Sequence, residues 1–273
     1  MKFKKIEFLK EALREDIGRG DLARFIVSGV NISIIKAKQD GILAGVEYVK
    51  YIHEIADIEI TFFKEDGEEI KAGDVICELK GDSKDLLSCE RTLLDILQHA
   101  SGIATNARKF VNLTNGKIKI LDTRKTRPLL REFEKYASKI GGVTNHRLGL
   151  DDCLMLKDTH LALFENITEA VRIARENIPF TTKIEVECET YEMAVEAMEC
   201  GVEIIMCDNM SDKEIKKVVE YRNKFAKQTL IEASGNITLD TVAKYAELGI
   251  DAVSSGSIIH QATFLDFSMK MKG

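Results

Sequence analysis

A chain of 273 residues with 45% hydrophobic content can bury a sizeable core as one large domain or two smaller ones, and two are expected. Its formal net charge of -6 argues against nucleic acid or an anionic membrane as a general partner, because either needs a broad basic face. Six cysteines without a CxxC pair fit a reducing compartment, and no apolar run reaches signal-peptide or membrane-spanning length, so a cytoplasmic protein is expected.

In chain order, residues 4 to 15 form an amphipathic helix, and DIGRGD follows as a glycine-rich turn. NISIIKAKQ alternates as a strand, residues 46 to 56 read as a helix, and IEITFFKE and DVICELKG are strands separated by the turn residues DGEEIKAGD. SKDLLSCERTLLDILQHASGIATNARKFV reads as one or two long helices, so this part is α+β. From about residue 117 the pattern becomes regular. The apolar runs IKILD, CLMLKD, KIEVEC, EIIMCD, TLIEAS and DAVSSG alternate with helices near 129–139, 166–177, 190–200, 211–225 and 238–248. Such alternation makes either an open doubly wound sheet or an α/β barrel, and no GxGxxG follows the first strand to favour the dinucleotide-binding version.

Nearly every run ends in a polar or ionisable residue: Asp122 to Lys125, Lys157 with Asp158, Glu187, Asp208, Ser234 to Asn236, and Ser254 to Ser257. Any single polar strand end is ordinary loop composition. Six together, on strands whose ends open onto one face of a barrel, point to a pocket.

The basic residues sharpen that expectation. From Arg124 to Arg147 there are seven Lys or Arg against two Glu, in a chain that is acidic overall. Such a cluster repels itself unless an anion sits within it, and Arg forks suit phosphates and carboxylates. Arg124, Lys125, His146, Arg147 and Lys157 are placed to reach a ligand, whereas Arg127, Arg131, Lys135 and Lys139 have the spacing of a solvated helix face. Opposite them stand Glu187 and Asp208, which can bind Mg²⁺ directly or through water, accept from sugar hydroxyls, or stabilise a developing cation. Lys183 and Glu185 are as well explained by pairing with each other as by catalysis. The turns at Ser234–Asn236 and Ser255–Ser257 expose backbone N–H groups of the kind that cradle phosphate after the last two strands of a barrel. His160 and His260 fit core or surface, and His53 and His99 are structural. No zinc spacing and no GxSxG elbow occurs.

At EDIGRGDL, ERTLLDILQHASGIAT, LDTRKTRPLLREFEKYA, GGVTNHRLGLDDCLMLKDTH, KIEVECET, IIMCDNM, IEASGNIT and GIDAVSSGSIIHQA the chain resembles the quinolinate phosphoribosyltransferases over essentially its whole length. The resemblance implies an N-terminal α+β open-faced sandwich over residues 1–104, joined by the C-terminal segment 264–273, and an incomplete α/β barrel over 105–263. It implies transfer of phosphoribosyl from phosphoribosyl pyrophosphate to quinolinate, with loss of pyrophosphate and CO₂ and formation of nicotinate mononucleotide for NAD synthesis. It further implies Mg²⁺ with the pyrophosphate, and a homodimer or larger homo-oligomer in which Arg91 of ERTLL enters the neighbouring site. By motif, Lys125, Lys157, Glu187 and Asp208 take catalytic positions. Thr123, Arg124, His146, Arg147, Ser234, Gly235, Asn236, Ser255, Gly256, Ser257 and His260 join them around the substrates, with Glu187 and Asp208 near ribose and metal. Two departures stand out. SGN replaces the commoner SGG, which Asn tolerates because it enters the left-handed region readily, and SSGS replaces SVGA. The alternatives are a nicotinate phosphoribosyltransferase or the molybdenum-transport-associated homologue on the same fold, and a noncatalytic phosphate-binding regulator.

Overall fold

The computed structural model describes residues 2–272. The chain forms two compact units: one holds the residues up to Arg108, Tyr136–Gly142 and the segment from Ala262, and the other Lys109–Lys135 and Val143–Gln261.

The first unit begins with α1 (Lys2–Ile17) and continues through β1 (Val30–Ala37), β2 (Gly41–Ile42), α2 (Val46–Val49), β3 (Ile58–Phe62), β4 (Glu69–Ile70), β5 (Val75–Asp82) and the long α3 (Ser83–Leu113). Within β1, Ser33, Ile35 and Ala37 are buried while Ile32, Ile34 and Lys36 are half-exposed, the period of two expected of a sheet covered on one face. Leu86, Cys89, Leu93, Leu97, Ala100 and Ala104 recur at three- and four-residue spacing and are buried, giving α3 its apolar stripe. The C-terminal strand Phe267–Met271 pairs antiparallel with β1, from Ala37 opposite Phe267 to Ser33 opposite Met271, so the four-stranded order is C-terminal strand, β1, β5, β3.

The second unit carries β6 (Lys119–Leu121), α4 (Arg131–Ile140, whose last turns belong to the first unit), β7 (Leu154–Leu156), α5 (Asp158–Leu161), α6 (Ile167–Asn177), β8 (Ile184–Cys188), α7 (Tyr191–Glu199), β9 (Ile204–Asp208), α8 (Asp212–Phe225), β10 (Leu230–Ser234), α9 (Val242–Tyr245), β11 (Ala252–Ser254) and α10 (Ser257–His260). The six strands form one parallel sheet in the order β6, β11, β10, β9, β8, β7. All five residues of β8 are buried, as in a parallel sheet covered on both faces. Among the described residues no strand pairing joins β6 to β7, which leaves the barrel incomplete; only a bridge from Leu121 to Thr144 extends the β6 side. Side-chain caps at Asn166, Thr190 and Ser211 start α6, α7 and α8, the last with a reciprocal Ser211–Glu214 capping box.

Three expectations need correction. The helix expected over 238–248 is a single turn, because Thr241 Oγ1 accepts the Thr238 N–H and the Thr241 N–H bonds Thr238 O, so local turns displace the helical ladder. The helix expected from 129 begins at Arg131, since Leu129 adopts φ 64°. The solvated helix face assigned to Arg127, Arg131, Lys135 and Lys139 holds for Lys139 but fails for Lys135, which is 1% exposed and bonds Asp122; Arg127 is exposed as expected but precedes the helix and pairs with the fully buried Glu134. Helical spacing locates a face but not what covers it.

Candidate active site

The C-terminal ends of all six parallel strands contribute to one cavity of about 650 Å³, a volume suited to small-molecule substrates. Thr123, Arg124 and Lys125 come from the end of β6, Lys157 from β7, Glu187 from β8, Asp208 from β9, Ser234, Gly235 and Asn236 from β10, and Ser255, Gly256, Ser257 and His260 from the β11 end. His146 and Arg147 come from the stretch that follows the Leu121–Thr144 bridge. The sequence-derived site residues of this unit therefore meet in one place. Arg91 lies in the first unit, exposed on α3, where its Nη1 bonds Asp95 Oδ1 at 3.2 Å.

The basic wall is held from behind. Lys135 Nζ donates to Asp122 Oδ1 at 2.5 Å and to the His146 carbonyl at 2.8 Å, and Asp122 also accepts from the His146 N–H at 2.9 Å and Asn145 Nδ2 at 2.7 Å. One buried ion pair thus ties the end of β6 to the His146–Arg147 segment. Arg147 is 9% exposed, with Nη1 on the Cys153 carbonyl at 3.0 Å. Arg124 carries a buried Nε without a hydrogen-bond partner, and burial, then Arg147 and Arg131, push its proton affinity down. Like charges crowded around an unpaired donor are the signature of an anion site.

On the acidic side, Glu187 is 9% exposed and pairs with Lys157 across β7 and β8. Asp208 accepts from Asn209 Nδ2 at 2.8 Å. Asn209 was missed from sequence, although an Asn beside a strand-end Asp is a natural occupant of the left-handed region, and here its φ is 53°. Asn236 also takes φ 49°, so the SGN turn accommodates the departure as expected. At Ser255 and Ser257 both hydroxyls turn inward onto the Ile237 carbonyl, at 2.6 and 3.2 Å. Met155 and Met206 add apolar lining that no sequence signal marked.

The lumen holds a second cluster. Lys183 is exposed and does not pair with Glu185; instead Glu185 and Glu232 approach His146 Nε2 at 3.3 and 3.2 Å. Burial disfavours charge on His146, while Glu185 and Glu232 outweigh it and raise the ring's proton affinity at Nε2. Burial also raises that of Glu185.

Comparison with known proteins gives this geometry a family. Residues 29–101 match the quinolinate phosphoribosyl transferase N-terminal domain and residues 103–270 its C-terminal domain. The chain is 37% identical over 276 residues to a probable nicotinate-nucleotide pyrophosphorylase [carboxylating] of Methanothermobacter thermautotrophicus, covering 98% of this chain and 99% of that one. It is 40% identical to the protein of the same name from Bacillus subtilis, covering 96% and 92%. The crystal structure of NadC from Streptococcus pyogenes superimposes with a TM-score of 0.94 at 40% identity, covering 100% of this chain and 98% of that one. With both domains matched and relatives aligned end to end, the chain belongs to the quinolinate phosphoribosyltransferase family.

Proposed function

We infer that this chain transfers phosphoribosyl from phosphoribosyl pyrophosphate to quinolinate with decarboxylation, giving nicotinate mononucleotide, pyrophosphate and CO₂. The observation that carries this reading is the pairing, in one cavity, of a crowded cationic wall (Arg124, Lys125, Arg147, Lys157) with two carboxylates, Glu187 and Asp208. A phosphate binder needs the first but not the second.

Each charge has a use in that chemistry. Arg124, Arg147 and Lys157 grip the carboxylates of quinolinate and the anionic groups of the second substrate. As pyrophosphate leaves C1′ and the pyridine nitrogen attacks, positive charge develops on the ribose, and Glu187 and Asp208 stabilise it. The resulting pyridinium draws electrons from the bond to the adjacent carboxylate; CO₂ departs and a proton from solvent fills the vacated carbon. No protein nucleophile is required. Ser234 to Asn236, with Gly256 and Ser257, supply backbone N–H groups to phosphate, whereas the Ser255 N–H is taken by the Leu121 carbonyl. Glu187 and Asp208 offer the hard oxygen donors that Mg²⁺ prefers, directly or through its waters, and the ion would neutralise the leaving group. Lys157, already on Glu187, is positioned to shift toward pyrophosphate.

Arg91 is assigned to the cavity of a second copy of this chain, in a homodimer or larger assembly. Its exposure, and its pairing among the described residues with Asp95 of the same helix alone, support that role. A cytoplasmic setting is supported by six free cysteines, four of them buried, and no described helix is long and apolar enough to cross a membrane.

Incubation with phosphoribosyl pyrophosphate, Mg²⁺ and either quinolinate or nicotinate tests the assignment. Mononucleotide with equimolar CO₂ from quinolinate is expected, and chelation of Mg²⁺ should stop it. Product from nicotinate alone would transfer the chain to the monocarboxylate reaction. Glu187→Gln is expected to lower kcat by roughly 10- to 100-fold, and wild-type turnover in that variant would remove the electrostatic role.

A further outcome concerns the SGN turn. Gly235 has φ 103°, and a Cβ there would lie 2.2 Å from Asn209 Oδ1, the side chain that orients Asp208. Gly235→Ala should raise KM for phosphoribosyl pyrophosphate by about tenfold, since backbone strain of this kind costs ~1–3 kcal/mol. Initial-rate kinetics at saturating quinolinate would read this, and an unchanged KM would exclude the turn from phosphate binding.

A further inference from the structure

Glu185 and Glu232 sit where carboxylates are expensive. Glu185 is 0% and Glu232 2% exposed, and both oxygens of Glu185 and Oε1 of Glu232 lack a hydrogen bond of acceptable geometry. Burying such groups costs several kcal/mol each unless something compensates them. What faces them is His146 Nε2, within ion-pair distance of both. The donor atoms of the three residues lie within 4.8 Å of one another, a spacing that also suits a metal ion.

The other ring nitrogen decides between a metal and a proton. His146 Nδ1 accepts the Arg147 backbone N–H at 2.7 Å. A metal on Nε2 would require the proton to sit on Nδ1, facing that N–H. Glu185 and Glu232 draw the ring proton to Nε2, whereas a second proton on Nδ1 would face the Arg147 N–H that Nδ1 accepts, so the ring carries one proton, on Nε2, between the two carboxylates. Both nitrogens are therefore engaged within the protein, and neither is free for a substrate. Arg147 is the residue at stake: its main chain is held by His146, and its guanidinium lines the cavity.

We propose that Glu185 and Glu232 are positioning residues for substrate binding, which pin the His146 ring through Nε2–H so that Nδ1 fixes the Arg147 main chain and aims its guanidinium at the dicarboxylate. His146 then acts through Arg147 and is not itself a substrate ligand. The proposal rests on the quinolinate reading above.

The chain has five histidines, so nitrogen-15 imidazole spectra of the full-length, unliganded protein are tractable, with His146→Asn identifying the His146 pair. The spectrum is expected to show Nδ1 as an unprotonated acceptor and Nε2 as a protonated donor, unchanged by added Zn²⁺ or Mn²⁺. A deprotonated Nε2, or a metal-dependent shift, would overturn the clamp in favour of an ion site. In kinetics, Glu185→Gln and Glu232→Gln should each raise KM for quinolinate about tenfold while kcat and KM for phosphoribosyl pyrophosphate stay within about twofold. His146→Asn, which places Oδ1 where Nδ1 accepts, should retain more quinolinate affinity than His146→Gln, which keeps a donor near the carboxylates instead. The reverse order, or a fall in kcat with KM unchanged, would sink the proposal. The spectrum of the unsubstituted protein remains decisive if a variant does not fold. It is also independent of turnover, so failure of the quinolinate assay and failure of the clamp are read separately.

Discussion

Arg147→Ala is expected to lower kcat/KM for quinolinate by about 10²- to 10³-fold, or ~3–4 kcal/mol, within the range lost when one partner of a buried charge contact is truncated. The residue is nearly enclosed, its Nη1 anchored on the Cys153 carbonyl, and its charge crowds Arg124 on the cavity wall. A dianionic substrate relieves that crowding, so affinity should suffer more than turnover. Lys139→Ala, on the exposed side of α4, is the control and should leave both constants within error. Steady-state kinetics on the two variants would settle the point; equal loss in both would mean that the basic stretch acts through net charge alone. Arg147→Lys should recover little, because a point charge lacks the fork that suits a carboxylate.

The second large effect lies behind the site. Lys135→Met should destabilise the protein by ~3–5 kcal/mol, since it strands Asp122, which is 0% exposed, without its cation. Urea unfolding would measure this as a lower midpoint with an unchanged slope. Pairing it with Asp122→Asn should recover much of the loss, because the amide oxygen can still accept the His146 N–H while the uncompensated charge is gone. If the double variant were as unstable as the sum of the single ones, Lys135 and Asp122 would not be acting as a pair. Activity should fall as well, because the same pair ties the end of β6 to the His146–Arg147 segment.

The periodic half of the chain was legible because its physics is local. Alternating apolar runs and capped helical stretches fix a parallel α/β unit, and polar strand ends then have nowhere to go but one face. Arg124, Lys157, Glu187 and Asp208 were found that way, and the structure gathers them in one cavity. The ends of elements were less legible: Leu129 at φ 64° and the Thr238–Thr241 turn shortened helices whose spacing looked continuous. The C-terminal strand was not legible as a strand, because its pairing with β1 is non-local.

Composition and pattern alone marked this chain as an α/β protein with a cationic cluster at its strand ends, and its motifs pointed to the family. Only the tertiary structure decided which charges line the cavity and which are spent on each other. Lys135 and Arg127 have the spacing of surface residues yet meet the buried carboxylates of Asp122 and Glu134, while Glu185, expected beside Lys183, meets His146 and Glu232. The reason is that a charge's partner is chosen by burial and strand order, which bring together residues dozens of positions apart, whereas periodicity reports only the direction in which a side chain leaves its own element.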